Sequence, residues 1–246
     1  MEIVILNNIF NIFKKTKQTA QTTNNKEKLS NKERLENILA FSTTFMKYEG
    51  GYEEFKPAFD LIKILSAKIF YDYSISILDK SNAQFSDQYL IFKIDDLFFD
   101  EKDTPKDLLL RINRDFLDWN IEKTFNVSLS EDPVLSFPKE HHKLKNHLKE
   151  IGTESNQWKQ YELNHYTTTI FPVGLCYFYN GRNSSFVGIV KRKGEMLISP
   201  NNGHYFRNFS KLYEYMKFDG ENYILKENGK IIGKALSFEF GCIFEI

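Results

Sequence analysis

The apolar residues of this 246-residue chain change their spacing part-way along it, and that change does most to limit the folds open to it. Between residues 30 and 152 most apolar stretches recur at three and four residues, as one face of a helix does. Beyond residue 155 they recur mainly at two, as one face of a strand does. Helices first and strands later predict an α+β fold: an antiparallel β-sheet rich in the C-terminal half, packed against helices mostly from the N-terminal half.

Ser30-Asn31-Lys32-Glu33 has the spacing of a capping box, and Leu35, Ile38, Leu39, Phe45 and Met46 continue it as a helix over 31–47. Pro57 suits the first turn of a second helix ending near Phe70. Tyr73, Ile75 and Ile77 then alternate with Asp72, Ser74 and Ser76, which predicts a strand. Leu90, Phe92 and Ile94 form its hairpin partner across a loop at 79–87. Thr104-Pro105 opens a third helix through Trp119, Phe125, Val127 and Leu129 mark another strand, and Pro138 opens a fourth helix that stops near Gly152.

Strands are expected at 158–170, 173–179, 186–192, 195–199, 222–227, 230–233 and 235–246, with one short helix at 209–217. Asn180-Gly181 and Asn228-Gly229 are turn signals, because both residue types tolerate positive φ. The last twelve residues carry the cleanest alternation: Leu236, Phe238, Phe240, Cys242, Phe244 and Ile246 share one parity. They predict a strand about 40 Å long, at roughly 3.3 Å per residue, with Glu239 on its solvated face.

Residues 16–29 are Thr, Gln, Asn and Lys with almost no apolar side chains, which reads as a polar linker. The expected organisation is a short helix and linker over 1–29 and one α+β domain over 30–246, with a subdomain seam near 152–157. Apolar residues make up 41% and Phe alone numbers 23, ample material for a core. No run reaches the roughly 18 apolar residues of a membrane span. Residues 3–17 join a short apolar stripe to Lys14, Lys15 and Lys17, which fits docking on the body or weak peripheral contact with a membrane. The start lacks the charge order of a secretory signal and two cysteines make no disulfide framework, so the cytoplasm is the expected compartment.

Lys and Arg together number 33, as do Asp and Glu, and only six of the cations are Arg. A balanced, Arg-poor chain argues against specific nucleic-acid binding, and its Lys bias fits an A/T-rich bacterial or phage genome. Charge is uneven along the chain: +3 over 1–30, −7 over 31–138 and +4 over 139–246. The densest acidic patch is Asp95, Asp96, Asp100, Glu101 and Asp103, interleaved with Leu97, Phe98 and Phe99. Carboxylates around aromatics suit a partner protein with a basic surface.

Catalytic signatures are sparse. The five histidines include no pair at i and i+4, so no metal site is expected, and no cofactor motif is present. Two histidines beside a cation could still serve as general base and acid without a metal. His165 with Glu162, and His204 with Arg207, are the residues for that chemistry. The leading expectation is a cytoplasmic protein-binding module of the immunity or antitoxin type. The alternative is a small metal-independent hydrolase or nuclease using His165 and His204.

Overall fold

A computed structural model describes residues 29–44, 52–79, 124–138, 141–200 and 202–246. Its element order is α1 (Asn31–Thr43), α2 (Tyr52–Asp79), β1 (Phe125–Ser128), β2 (Val134–Ser136), α3 (His141–Glu150), β3 (Thr167–Phe171), β4 (Leu175–Phe178) and α4 (Arg182–Val190). There follow β5 (Glu195–Ile198), β6 (Tyr205–Asn208), α5 (Phe209–Tyr215), β7 (Met216–Phe218), β8 (Asn222–Leu225), β9 (Ile231–Lys234) and α6 (Phe238–Glu245). The architecture is α+β, with the strands concentrated in the C-terminal half, and residues 31–246 form one compact unit.

The central sheet has the order β2-β4-β3-β6. β3 and β4 pair antiparallel, whereas β2·β4 and β3·β6 are parallel, so this sheet is mixed. Side chains alternate across it. Leu135, Ile170, Leu175 and Tyr177 join the large core cluster that also holds residues of α2 and α6. Val134, Cys176, Phe178 and Phe206 join a second cluster with Val127, Met196, Ile198 and Trp158. The antiparallel pair β1·β5 supplies most of that cover. All four residues of β4 are therefore buried, each worth roughly 1.5–3 kcal/mol where the side chain is large and apolar.

α2 shows why one predicted strand is a helix. Ile62, Leu65, Ile69, Phe70, Tyr73 and Ile77 are all buried, at intervals of a helical stripe. Tyr73 and Ile77 lie four apart on that stripe, while Ile75 between them is 57% exposed. The alternation at 73–77 thus arises from a helix whose outer face also carries an apolar residue. The helix also starts at Tyr52, which leaves Pro57 inside it.

Three further strand expectations are corrected. Residues 186–192 fall mostly within α4, which starts after Gly181 at φ 68°. Residues 158–166 are turns and irregular backbone, and β3 begins only at Thr167. The twelve-residue strand at 235–246 is replaced by α6. Ser237 Oγ accepts the Phe240 N–H at 3.1 Å and caps that helix. All residues from Glu239 to Phe244 are buried, so α6 packs on every side. It lies against α2, α1 and the three-stranded sheet β7-β8-β9. Phe244 meets Tyr223 edge-on at 5.3 Å, and Glu239, expected on a solvated face, is only 8% exposed.

The strand at Phe125 and the Asn228-Gly229 turn between β8 and β9 are where the spacing put them. The helix at residues 3–17, the hairpin strand at 90–94, the helix from Pro105 to Trp119 and the acidic patch Asp95–Asp103 lie outside the described residues. No helix among the described residues is long and apolar enough to cross a membrane.

Candidate functional site

Residues 158–166 run as a loop from the second core cluster to the start of β3. Trp158 anchors it: the indole is 6% exposed and its Nε1–H donates to the Ser184 carbonyl at 3.0 Å. His165 closes it from the other end. Its ring stacks on Trp158, with centroids 4.9 Å apart and planes at 24°. The Tyr161 N–H donates to His165 Nδ1 at 2.8 Å, so Nδ1 carries no proton. The neutral ring then holds its proton on Nε2, which donates to Ser184 Oγ at 2.7 Å. Ser184 Oγ–H donates onward to the Gly181 carbonyl at 3.0 Å. Both ring nitrogens are thus occupied within the protein. Burial pushes the imidazole down to about 4, so it is neutral near pH 7.

His204 sits just before β6, 7% exposed, with Nδ1 2.8 Å from Thr167 Oγ1 and its ring edge-on to Tyr166. Burial lowers its pKa also. The two histidines therefore flank Tyr166 but keep separate partners. Glu162 is exposed in the turn beyond Tyr161. Arg207 is half-buried; its Nη1 donates to the Phe206 carbonyl, and its guanidinium lies 5.5 Å from the Tyr205 ring. Each imidazole is thus bonded within the protein to partners of its own.

His204 adjoins a row of tyrosines. The Tyr166 ring packs on Tyr179 at 6.0 Å, and Tyr179 packs on Tyr205 at 5.4 Å. The Tyr179 hydroxyl donates to the Gly203 carbonyl, which ties the turn before β6 to the same row. Tyr161 is 60% exposed, Leu163 72% and Tyr205 52%. On the 158–166 loop, Gln160 bonds the edge of β5 that faces away from β1: its Nε2 donates to the Leu197 carbonyl at 2.9 Å and its Oε1 accepts the Leu197 N–H at 2.7 Å. The loop is therefore fixed at Trp158, Gln160 and His165 while Tyr161 and Leu163 face solvent.

In the strand expected over 158–170, alternation would put Tyr161, Leu163 and His165 on one face. A turn separates them instead: Asn164 and His165 both donate their N–H groups to the Tyr161 carbonyl, at 2.9 and 2.8 Å. Tyr166, Tyr179 and Tyr205 were not singled out at all. They come from three segments and meet only through the β3·β4 and β3·β6 pairing. Among the described residues no group of three or more His, Cys, Asp or Glu side chains converges as a metal site would require.

No curated protein and no solved structure is similar to this chain. Residues 14–246 match the model of a family of unknown function, and on that match the chain belongs to DUF6710.

Proposed function

We propose that this chain is a protein-binding module that engages another protein through Tyr161 and Leu163 on the 158–166 loop. The observation that carries the reading is the exposure of these two large side chains, 60% and 72%, on a loop fixed at Trp158, Gln160 and His165. Tyrosine is enriched in binding hot spots, and pre-ordered aromatics lose little entropy on association. Exposed Glu162, between them in the sequence, supplies a charge for orienting a partner. The buried, internally bonded states of His165 and His204 favour this role over acid–base chemistry. In its narrower form the reading is a cytoplasmic immunity or antitoxin-type protein that covers the working surface of a toxin.

A photo-crosslinking residue at Tyr161, in the producing cell, tests the reading against the same residue at exposed Lys234. A discrete protein adduct at position 161, absent at 234 and lost when Leu163→Arg is added, supports it. Equal adducts at both positions, or none at 161, would remove the loop from consideration.

A further inference from the structure

The backbone of Tyr161 is bonded twice within one turn. Its carbonyl accepts the Asn164 and His165 N–H groups, and its own N–H donates to His165 Nδ1 at 2.8 Å. The imidazole thus closes the turn 161–165, and every hydrogen beyond it has one possible direction. Nε2–H donates to Ser184 Oγ at 2.7 Å, and Ser184 Oγ–H donates to the Gly181 carbonyl at 3.0 Å. A backbone N–H can only donate and a carbonyl can only accept. The chain of bonds therefore runs from the Tyr161 amide to Gly181 and has no place for a second proton on the ring.

An imidazolium donates from both nitrogens. Its Nδ1–H would face the Tyr161 N–H across 2.8 Å, donor against donor. The ring stacks on Trp158, meets Phe178 of β4 edge-on and lies against Gly181 at the start of α4, and none of these carries a charge to offset the conflict. From α3, Lys143 and His147 line a hollow with Ser184 and Asn164, and neither is an anion that could receive the proton's charge. Burial, and none of Lys159, Glu162 or Arg182 on the adjoining elements, pushes the ring's pKa down to about 4.

The loop's other fastenings do not titrate. Trp158 Nε1–H is held by the Ser184 carbonyl, and Gln160 holds Leu197 through neutral amides. We infer that the turn 161–165 is a proton-operated latch: a second proton on His165 expels the Tyr161 N–H from Nδ1 and frees the turn carrying Tyr161 and Leu163, while Trp158 and Gln160 keep their bonds. The latch is closed near pH 7 and opens as pH falls toward 4. It concerns the order of the turn and does not depend on the turn's binding a partner.

Amide hydrogen exchange of the full chain, followed by NMR between pH 6.5 and 5, tests this. After correction for the intrinsic rate, protection of the Tyr161 amide should fall about tenfold per pH unit, because the protonated fraction of the ring rises by that factor. Leu197, whose N–H Gln160 accepts, should keep its protection. The ring's nitrogen shifts should show the Nε2–H form at pH 6.5, and their change should track the loss at Tyr161. His165→Asn keeps an acceptor near the Nδ1 position and does not titrate, so its Tyr161 protection should not vary with pH. The inference fails if Tyr161 stays equally protected as the ring takes up its proton, if Tyr161 and Leu197 lose protection together, or if His165→Asn shows the wild-type fall. Should that variant not fold, the wild-type shifts and exchange rates decide by themselves. None of these outcomes bears on the crosslinking result at Tyr161.

Discussion

Gly241 of α6 lies directly beneath the ring of Phe218 in β7: a Cβ placed on Gly241 would fall 2.4 Å from Phe218 Cζ. No real side chain tolerates that separation, so the helix and the strand approach as closely as they do because position 241 has no side chain. Phe218 is also clamped from its backbone, where Glu245 Oε1 accepts its N–H at 2.5 Å. The last helix is thereby fixed to the three-stranded sheet at two points one helical turn apart.

Two effects compete in Gly241→Ala. Helix propensity favours Ala by about 1 kcal/mol. The ring clash opposes it by roughly 1–3 kcal/mol, as overpacking does, and three ring atoms lie within 2.5 Å of the new carbon. The clash should win, and urea unfolding should show net destabilisation. Adding Phe218→Leu should recover part of the loss, giving a favourable coupling in the double-mutant cycle. Additive losses would mean that the two residues do not limit each other.

Glu239 is the second test of α6. Its carboxylate lies 3.4 Å from Lys68 and 3.8 Å from Arg34, joining α6 to α2 and α1, and Arg34 also covers the Phe238 ring at 4.0 Å. Both cations are substantially exposed, which limits the strength of the pairs. Glu239→Gln should cost about 1–2 kcal/mol, part of it for the buried carboxylate's lost charge-assisted contacts. A strand with Glu239 in solvent would predict no cost. Phe240→Ala should cost about 3–5 kcal/mol in either geometry, since the ring is 1% exposed.

His165 makes stability depend on pH. Its folded pKa is about 4, against an unfolded value near 6.5. Between those values the unfolded chain takes up a proton that the folded chain does not. Stability is therefore fully present above about pH 6.5 and is lost as pH falls toward 4, by up to about 3 kcal/mol. His204 is lowered by burial and acts with the same sign. Glu245 is raised by burial and acts in the opposite sense, so wild type must be compared with His165→Gln. The variant should be less stable at pH 7.5 but show a shallower loss between pH 6.5 and 4.5. Equal slopes in the two proteins would mean that His165 does not titrate in this window.

Gly181 supports the same imidazole. It has φ +68°, and an added Cβ would lie 2.3 Å from His165 Cδ2. Gly181→Ala combines a left-handed backbone cost of about 1 kcal/mol with a ring clash of roughly 1–3 kcal/mol. It should destabilise more than Gly241→Ala, where helix propensity offsets part of the clash. Trp158 fluorescence should also shift, because the indole stacks on that ring. Unchanged emission alongside lost stability would place the damage elsewhere.

Periodicity located the amphipathic elements and failed where burial is complete. Val127 faces a core while Asn126 faces solvent, so the strand at β1 was legible from alternation. In α6 both parities are buried, and a run such as Phe238 to Ile246 then fits a strand or a helix equally. The deciding signal was Ser237, a helix-capping residue three before Phe240, rather than the spacing of the apolar residues. At α4 the turn at Gly181 was recognised, but Phe186, Val187 and Ile189 are β-prone residues held in a helix by tertiary packing. The tyrosine row has no local signature, because Tyr166, Tyr179 and Tyr205 lie in separate segments. His204 and Arg207 stand out in the sequence for charge and chemistry, and each contacts one end of that row.

The clasp of Gln160 on Leu197 bears on how these molecules behave when crowded together. A two-stranded sheet has unpaired N–H and C=O groups along its margins, and another copy can extend such a margin strand by strand. At Leu197 both outward-facing backbone groups are occupied by one side-chain amide. Leu197 itself is 51% exposed, so without that amide the margin would be both sticky and unpaired. A single glutamine thus leaves no backbone donor or acceptor at Leu197 for a further strand to use, while Tyr161 and Leu163, one and three residues further on, stay exposed.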